Sequence, residues 1–529
     1  MKLRALYFRL PLNLVSAAAA IGELRGWRRG LLGFLAGILA ATSLPPLFLV
    51  PLLWVSFPIL FCLINGAKSL TAAIADGWWF GFGYFSAGLY WISLSLLVES
   101  EKFAWMIPLA LLLIPAVLAC SIGIAAGVSF FAKQGLPRLL ALAASWTLCE
   151  WARAHLLTGF PWNPIAVIWS LDPVFLQGLS VIGLYGLGFL TVLIFLWPVT
   201  FVLKSKSHSL GISFVFLGLI AACWIFGFVR LFEATEPGKG DLRLRIVQPN
   251  IPQDLKWNPR LRNQHLDKLV ELSKGVGNAD VKHIIWPETA IPFLLPPNAN
   301  LSRILGDTIP LGGLLWAGSL TSIGSSGNPF KLFNSLLVVD ASGEIRAKYD
   351  KHHLVPFGEY VPYRDFLGIS KITRGRTDFS PGSKPAPIDL LGIQKVLPLI
   401  CYEIIFSHEV AAASRADWVV NITNDAWFLD SAGPRQHFAL AQMRAVELGL
   451  PVVRAANTGI SGVIDPWGRV IDSLGVGVSG SIDVKLPSPL PATIYSQVGE
   501  WAVILVIFLI LLTAILFGHF GKLLPRNSQ

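Results

Sequence analysis

Apolar stretches long enough to cross a bilayer, which takes about 20 residues, recur along this chain and limit what it can fold into. They lie near Leu31–Leu44, Phe48–Ile64, Leu70–Val98, Ala104–Phe131, Leu139–Leu157, Val181–Leu203, Leu210–Phe232 and Trp501–Phe517. The first is short, and Pro45-Pro46 separates it from the second. Composition points the same way. Only 14% of the 529 residues are charged and 54% are hydrophobic, whereas a soluble globular protein carries about 25% charged residues. The expected architecture is an α-helical transmembrane bundle of about eight spans with a large polar insert. Residues 1–237 would hold an N-terminal segment and seven spans, 238–499 the insert, and 500–529 the last span and a tail.

A net charge of +10 suggests nucleic acid only if the basic residues form a binding face, and here they follow the spans instead. They cluster at Arg25, Arg28 and Arg29, at Lys68, at Lys133 and Arg138, at Lys204 and Lys206, and at Lys522 and Arg526. With eight spans all of these fall on one side. The positive-inside rule makes that side cytoplasmic, together with both termini. The turn Glu99–Glu101 and the insert then lie on the other face, and no nucleic-acid partner is expected. Met1–Ala20 lacks the long apolar run of a cleavable signal and is followed by Arg25–Arg29, so retention in the membrane is expected.

Within the spans, Gly77, Gly81, Gly83 and Gly88 sit at near-helical spacing, which suits close helix approach. Asp76, Glu150, Arg153 and His155 fall near span ends, where water or headgroups could reach them. The loop Thr158-Gly159-Phe160-Pro161-Trp162-Asn163-Pro164 carries an aromatic suited to the membrane surface, near a lipid site.

The insert alternates strand and helix signals, so an α/β domain is expected. Strands are predicted at Leu242–Val247, His283–Trp286, Leu314–Ala317, Ser335–Val339, Val396–Ile400, Trp418–Ile422 and Val452–Ala455. A hairpin follows at Gly462–Ile471, turning at Pro466-Trp467-Gly468. Helices are predicted at Asn263–Lys274 and from Gly433-Pro434 to about Leu448.

Three ionisable groups stand where predicted strands give way to loops. Glu288 lies in Trp286-Pro287-Glu288-Thr289-Ala290, where Pro287 ends the strand; alone it would be an ordinary loop carboxylate. Lys351 lies in Tyr349-Asp350-Lys351-His352-His353, and such a lysine is usually a solvated charge. The adjacent His352 and His353 invite a metal, but neighbours in a strand point to opposite faces and no HExxH or CxxC pattern supports them. Cys401 follows the apolar run ending at Ile400, with Glu403 two residues on. The other four cysteines, Cys62, Cys120, Cys149 and Cys223, lie in apolar stretches, so Cys401 has no local disulfide partner. A lone cysteine is usually a small buried hydrophobe; the acidic neighbour tips this one toward a nucleophile.

Glu, Lys and Cys in that order, within WPETAIP, YDKHHLVPFGEYVP and ICYEIIF, resemble the carbon–nitrogen hydrolase (nitrilase) superfamily. With spans on both sides, the chain from about Leu31 to Phe517 looks like that superfamily's membrane branch, the bacterial apolipoprotein N-acyltransferases. Gln248–Gln253 with Trp257, Thr158–Trp162, Asn421–Phe428, and Gly433-Pro434 with Gln436-His437 are similar to that family too. The resemblance implies an αββα sandwich in the periplasm, carried by a multi-pass protein of the inner membrane. It implies transfer of an acyl chain, typically the sn-1 chain of phosphatidylethanolamine, to the α-amino group of a diacylglyceryl-cysteine that begins a lipoprotein. Cys401 would be the nucleophile, Glu288 the general base and Lys351 the oxyanion stabiliser, aided by the Tyr402 backbone N–H. Glu359 and Glu403 carry over as supporting carboxylates. Glu359 is expected to orient Lys351, while Glu403 could equally cap a helix or pair with a surface arginine.

Trp257 and Tyr402 are expected to line the acyl or headgroup pocket, Trp427 to pack, and Asn334 to do either. Phe293-Leu294-Leu295 are expected as pocket walls. No cofactor or metal is expected, and a monomer is the default. Two other classes stay open: a membrane-tethered amidase or nitrilase acting on a small amide with water, and a transporter or scaffold. The second would explain the spans but not the three groups together.

Overall fold

The computed structural model describes residues 12–202, 206–232, 234, 242–274, 280–295, 299–324, 330–362, 371, 377–390, 394–412 and 416–520. The boundary at 237/238, and Lys204, Lys522 and Arg526, lie outside them. Each predicted span falls on a helix: Gly26–Ala41, Leu53–Gly66, Leu70–Gly88, Ile107–Phe130, Leu136–His155, Leu179–Leu196, Lys206–Phe232 and Trp501–Phe520. Another apolar helix, Leu12–Glu23, precedes them. Among the described residues three helices are long and apolar enough to cross a membrane, or four if Leu70–Gly88 and the 45°-bent Tyr90–Leu97 count as one span. The predicted single span Leu70–Val98 is therefore broken at Leu89.

Glycines let the bundle close, because a Cβ at Gly77 would stand 2.5 Å from the Ile122 carbonyl oxygen. The charged groups expected to reach water are instead satisfied internally. Asp76 is buried against Arg29 at 2.6 Å. Glu150 accepts from the Trp146 indole and the Ile165 N–H, each at 3.0 Å. Arg153 donates to the carbonyls of Phe160 (2.8 Å) and Trp162 (2.6 Å). Burying such groups is tolerable only when each finds a partner.

Among the described residues the insert carries twelve strands: β1 (Arg243–Gln248), β2 (Val281–Ile285), β3 (Ile291–Leu295), β4 (Leu314–Ile323), β5 (Lys331–Asp340), β6 (Ile345–Asp350), β7 (Val396–Ile400), β8 (Trp418–Thr423), β9 (Val452–Ala456), β10 (Ser461–Ile464), β11 (Val470–Leu474) and β12 (Gly480–Lys485). One sheet has the order β12-β1-β2-β4-β5-β6, with β3 also on β4; the other runs β11-β10-β9-β8-β7. The pairs β1–β2, β2–β4, β7–β8 and β8–β9 are parallel. Alternate residues of both sheets, including Ile246, Trp316, Val338, Ile400, Trp418 and Val453, share one core, and the rings of Trp316 and Trp418 meet at 5.7 Å. Leu266 and Leu269 of helix Arg262–Ser273, with Leu301 and Leu305 of helix Ala299–Thr308, cover the outer face of the first sheet. Helix Ala432–Leu448 joins Leu397 and Val419 of the second sheet in the core that continues into the bundle.

The two parts of the chain are fastened together by side chains. Gln436 accepts from the indoles of Trp91 (3.1 Å) and Trp162 (2.8 Å) and donates to the carbonyls of Pro45 and Gly88. Glu447 accepts from the Leu184 N–H at 2.8 Å. Trp162, expected at the membrane surface, is instead buried at this joint, where its ring also meets those of Trp91, Phe428 and Tyr402.

Candidate active site

Glu288, Lys351 and Cys401 each follow the C-terminal end of a strand. Glu288 comes after β2 and Lys351 directly after β6, while Cys401 directly follows β7, so the facing sheets contribute to one centre. Each of the three loops holds a non-glycine residue in left-handed backbone: Thr289 (φ 48°), Phe357 (φ 62°) and Cys401 itself (φ 54°). Such conformations cost on the order of 1–2 kcal/mol each and persist where surrounding contacts impose them.

Lys351 is buried with its Nζ 2.9 Å from Glu359 and 3.6 Å from Glu288. Asn334 of β5 ties the two carboxylates together, donating to Glu288 at 2.6 Å and Glu359 at 2.9 Å. It also accepts the Lys351 N–H on its own carbonyl at 2.8 Å. Asn334, expected to line the pocket or to pack, touches both acids. Burial alone would lower the Lys351 pKa; Glu359 and Glu288 overcome it and raise the ammonium well above the ordinary lysine range. Lys351 therefore stays cationic.

Cys401 opens a short 3₁₀ turn, Cys401–Ile405, and keeps part of its surface exposed. Burial of the surroundings and then the Glu288 charge push its thiol up to about 12, against the pull of Lys351. A thiol held that high needs a base at the moment of attack. Behind it, His437 faces the Cys401 carbonyl at 3.1 Å and Asp425 at 2.8 Å. Burial works against the Asp425 carboxylate, yet Arg454 and His437 hold it down to about 2.

Glu359 accepts the Val355 N–H at 2.8 Å, which fixes it against Lys351. Among the described residues Glu403 meets no arginine. It is fully buried and caps its own turn by accepting the Ile400 N–H at 2.7 Å. Its other oxygen accepts from the Tyr349 hydroxyl (2.7 Å) and the His352 N–H (2.8 Å), so it holds the lysine loop against the cysteine turn. The Tyr402 ring is buried and its hydroxyl donates to the Gly159 carbonyl at 3.1 Å. It therefore packs against the loop of the bundle.

His352 and His353 part company. His352 meets the Gly382 carbonyl (2.9 Å), and His353 meets Glu409 (2.9 Å) and the Thr158 carbonyl (2.8 Å). Phe293, expected as a pocket wall, packs part-buried against the core between the first sheet and its helices; the side chains of Leu294 and Leu295 lie outside the described residues.

Among the described residues two groupings bring metal-ligand atoms within 4.8 Å: His155–His408–Glu500 and Cys401–Asp425–His437. In the second, both Asp425 oxygens are engaged, by His437 and Thr423 and by Arg454. In the first, Glu500 binds His155 at 2.9 Å and the Trp151 indole at 2.8 Å.

Sequence reasoning missed Lys256 altogether. It lies in the turn after Pro252, almost fully buried, and its Nζ donates to the Glu288 carbonyl at 3.0 Å. Trp257, expected at the substrate pocket, is the next residue and is half-buried. Only the surrounding Gln-Pro-Asn-Ile-Pro-Gln stretch hinted at this turn.

Gly318 of β4 backs the Glu288 loop. A Cβ there would stand 2.5 Å from the Pro287 carbonyl oxygen and 2.6 Å from the Glu288 Cα, so the loop must move. A displacement near 1 Å costs about 100-fold when reacting groups must align. Gly318→Ala is expected to lower activity by about that factor, with a stability loss of about 1–3 kcal/mol; unchanged rates in a kinetic comparison would show that the loop position is not critical.

The geometry brings together a carboxylate, a buried cation and a thiol on a strained turn, groups that can support acyl chemistry through a covalent intermediate. Residues 36–197 match the family model described as apolipoprotein N-acyltransferase N-terminal domain, and residues 243–489 match carbon-nitrogen hydrolase. The chain is 40% identical over 512 residues to an apolipoprotein N-acyltransferase of Rhodopseudomonas palustris, covering 93% of this chain and 95% of that protein. It is 42% identical over 511 residues to one of Bradyrhizobium diazoefficiens, with the same coverage. A solved amidase from Nesterenkonia sp. aligns over 51% of this chain and 97% of its own, at 20% identity and a TM-score of 0.37, which is too loose to carry an argument.

Proposed function

The chain belongs to the apolipoprotein N-acyltransferase family, and from that premise we propose that it moves a fatty acyl chain from a phospholipid to the N-terminus of a diacylated apolipoprotein. The proposed donor is phosphatidylethanolamine through its sn-1 chain. The proposed acceptor is the free α-amino group of the S-diacylglyceryl-cysteine. The observation that carries this reading is the seating of the cysteine turn on the bundle: Tyr402 bonds Gly159 and His353 bonds Thr158. A centre placed there suits substrates that arrive in a bilayer, and family membership favours acyl transfer over hydrolysis of a small amide.

In the first half-reaction Glu288 takes the Cys401 proton and the thiolate attacks the ester carbonyl. Lys351 stabilises the oxyanion. The Tyr402 N–H assists, since N–H groups in a first helical turn lack intrahelical acceptors. Collapse breaks the ester bond, the lyso-phospholipid oxygen takes the proton from Glu288, and a thioester remains on Cys401. In the second half-reaction the lipoprotein amine attacks, Glu288 accepts its proton, and the amide forms as the C–S bond breaks. The proton then returns to sulfur. Water is the competing acceptor, and a lipid-filled mouth would protect the thioester. Trp257 lines that mouth in this proposal.

The proposal extends to architecture. Eight spans would carry a periplasmic αββα domain of residues 238–499, between a seven-span segment ending at 237 and a last span from 500. The protein would sit in the bacterial inner membrane as a monomer. The layering is supported by helices against the outer face of each sheet and a shared core between the sheets.

Incubating the purified protein with phosphatidylethanolamine alone is expected to add one fatty-acyl mass at Cys401, discharged by a diacylated lipopeptide. Intact-mass and peptide-level spectrometry read this directly. An unmodified Cys401 that still alkylates would overturn the donor assignment.

A further inference from the structure

The buried ions around Cys401 do not balance without a residue outside the Glu-Lys-Cys set. Glu288 and Glu359 share a single lysine, Lys351. The other nearby acids are committed elsewhere: Asp425 has Arg454, and Glu403 has backbone N–H groups and the Tyr349 hydroxyl. Two carboxylates facing one ammonium in a buried site leave a net negative charge. That charge opposes formation of a thiolate, because a like charge disfavours a second anion.

Lys256 supplies the missing cation. Only 5% of its surface is exposed. Its Nζ sits 3.0 Å from the Glu288 carbonyl oxygen, and its charge acts on both Glu288 and Cys401. The turn that carries it is anchored rather than loose. The Lys256 N–H bonds the Pro252 carbonyl at 3.1 Å, and the Asn250 N–H bonds the Asn457 carbonyl at 2.9 Å. Asn457 returns two further bonds, accepting the Ile251 N–H and donating to the Ile251 carbonyl.

We propose that Lys256 is a positioning residue for acyl transfer: it fixes the Glu288 loop and neutralises the buried centre so that the Cys401 proton can pass to Glu288. During that transfer the negative charge moves from the Glu288 carboxylate to sulfur while Lys256 and Lys351 keep theirs, so the net charge of the centre does not change. Burial pulls the Lys256 ammonium down to about 8, so this contribution fades as the pH rises through that value.

The inference deepens the acyl-transfer reading, and its test uses no lipid, so failure of the donor assignment leaves it standing. Full-length protein is alkylated with iodoacetamide from pH 6 to 9, and the Cys401 peptide is followed by mass. Lys256→Met and Lys256→Gln are expected to slow alkylation at pH 7 at least about tenfold, the rate equivalent of a rise of about one unit in the pKa of the thiol. Lys256→Arg, which keeps the charge, is expected to stay within about threefold of the parent. Gln can still donate a hydrogen bond to the Glu288 carbonyl, so it isolates charge from shape and serves if Met impairs folding. Profiles for Gln and Met that superimpose on the parent, or an Arg variant as slow as Gln, would overturn the proposal.

Discussion

Cys401→Ala is expected to abolish acyl transfer, by about 10⁵-fold or more, since removing a nucleophile leaves only background catalysis. Alanine is a non-glycine residue like cysteine, so the φ of 54° at this position is imposed equally on both and the turn should be retained. The measurement has two parts: transfer to a diacylated lipopeptide, and melting temperature as a control for fold. Loss of transfer with an unchanged melting temperature supports the thioester route. Robust transfer by a stable Cys401→Ala protein would sink it, because no second thiol lies in the polar domain; Cys62, Cys120, Cys149 and Cys223 all belong to the bundle.

Lys351→Met is the second large effect, and it has two origins. Chemically it removes the charge that faces the oxyanion, a loss worth roughly 10²–10³-fold for a single donor in comparable sites. Structurally it leaves Glu288 and Glu359 buried with Asn334 between them and without the ammonium that bridges them. Removing one partner of a buried pair destabilises by about 3–5 kcal/mol. The expected result is thioester formation at least about 10³-fold slower, together with a lowered melting temperature. A variant that forms the thioester at near-parental rate would show that the oxyanion is held by backbone alone.

Glu288 and Cys401 were legible because each stands at a strand end in a distinctive local string, and Lys351 only through the string Tyr349-Asp350-Lys351-His352-His353. Proline after Trp286 and the apolar run to Ile400 mark those ends without any tertiary information. What stayed hidden was whatever depends on the third dimension. Asn334 lies mid-strand in β5, and nothing in its neighbours says that its amide will span two acids. Lys256 looks like any loop lysine until the turn folds beneath Glu288.

Trp162 has the composition of an interfacial anchor, and only the arrival of Gln436, distant in sequence, buries it. Three strands, β3, β6 and β12, were missed, the last two for a related reason. β6 is mostly exposed, with Tyr349 its one buried residue, and β12 buries only Ile482 and Val484. Edge strands of this kind carry little hydrophobic pattern to detect. Glu403 offers the reverse lesson: its surface reading failed because a carboxylate close to a strand end can find backbone N–H groups before it finds solvent.

The joint built by Gln436, Trp91, Trp162 and Tyr402 has a consequence for how this protein can be handled and how it melts. Cutting the chain to release the α/β part would strand a polar amide and expose Tyr402, Phe406 and Phe428 together, an apolar patch of the kind that drives self-association. The same fastening couples the two halves thermally: neither can lose its packing without unpicking the bonds between Gln436 and the two indoles. The enzyme should therefore behave in a calorimeter as one cooperative body, and its chemistry cannot be detached from its anchor and kept.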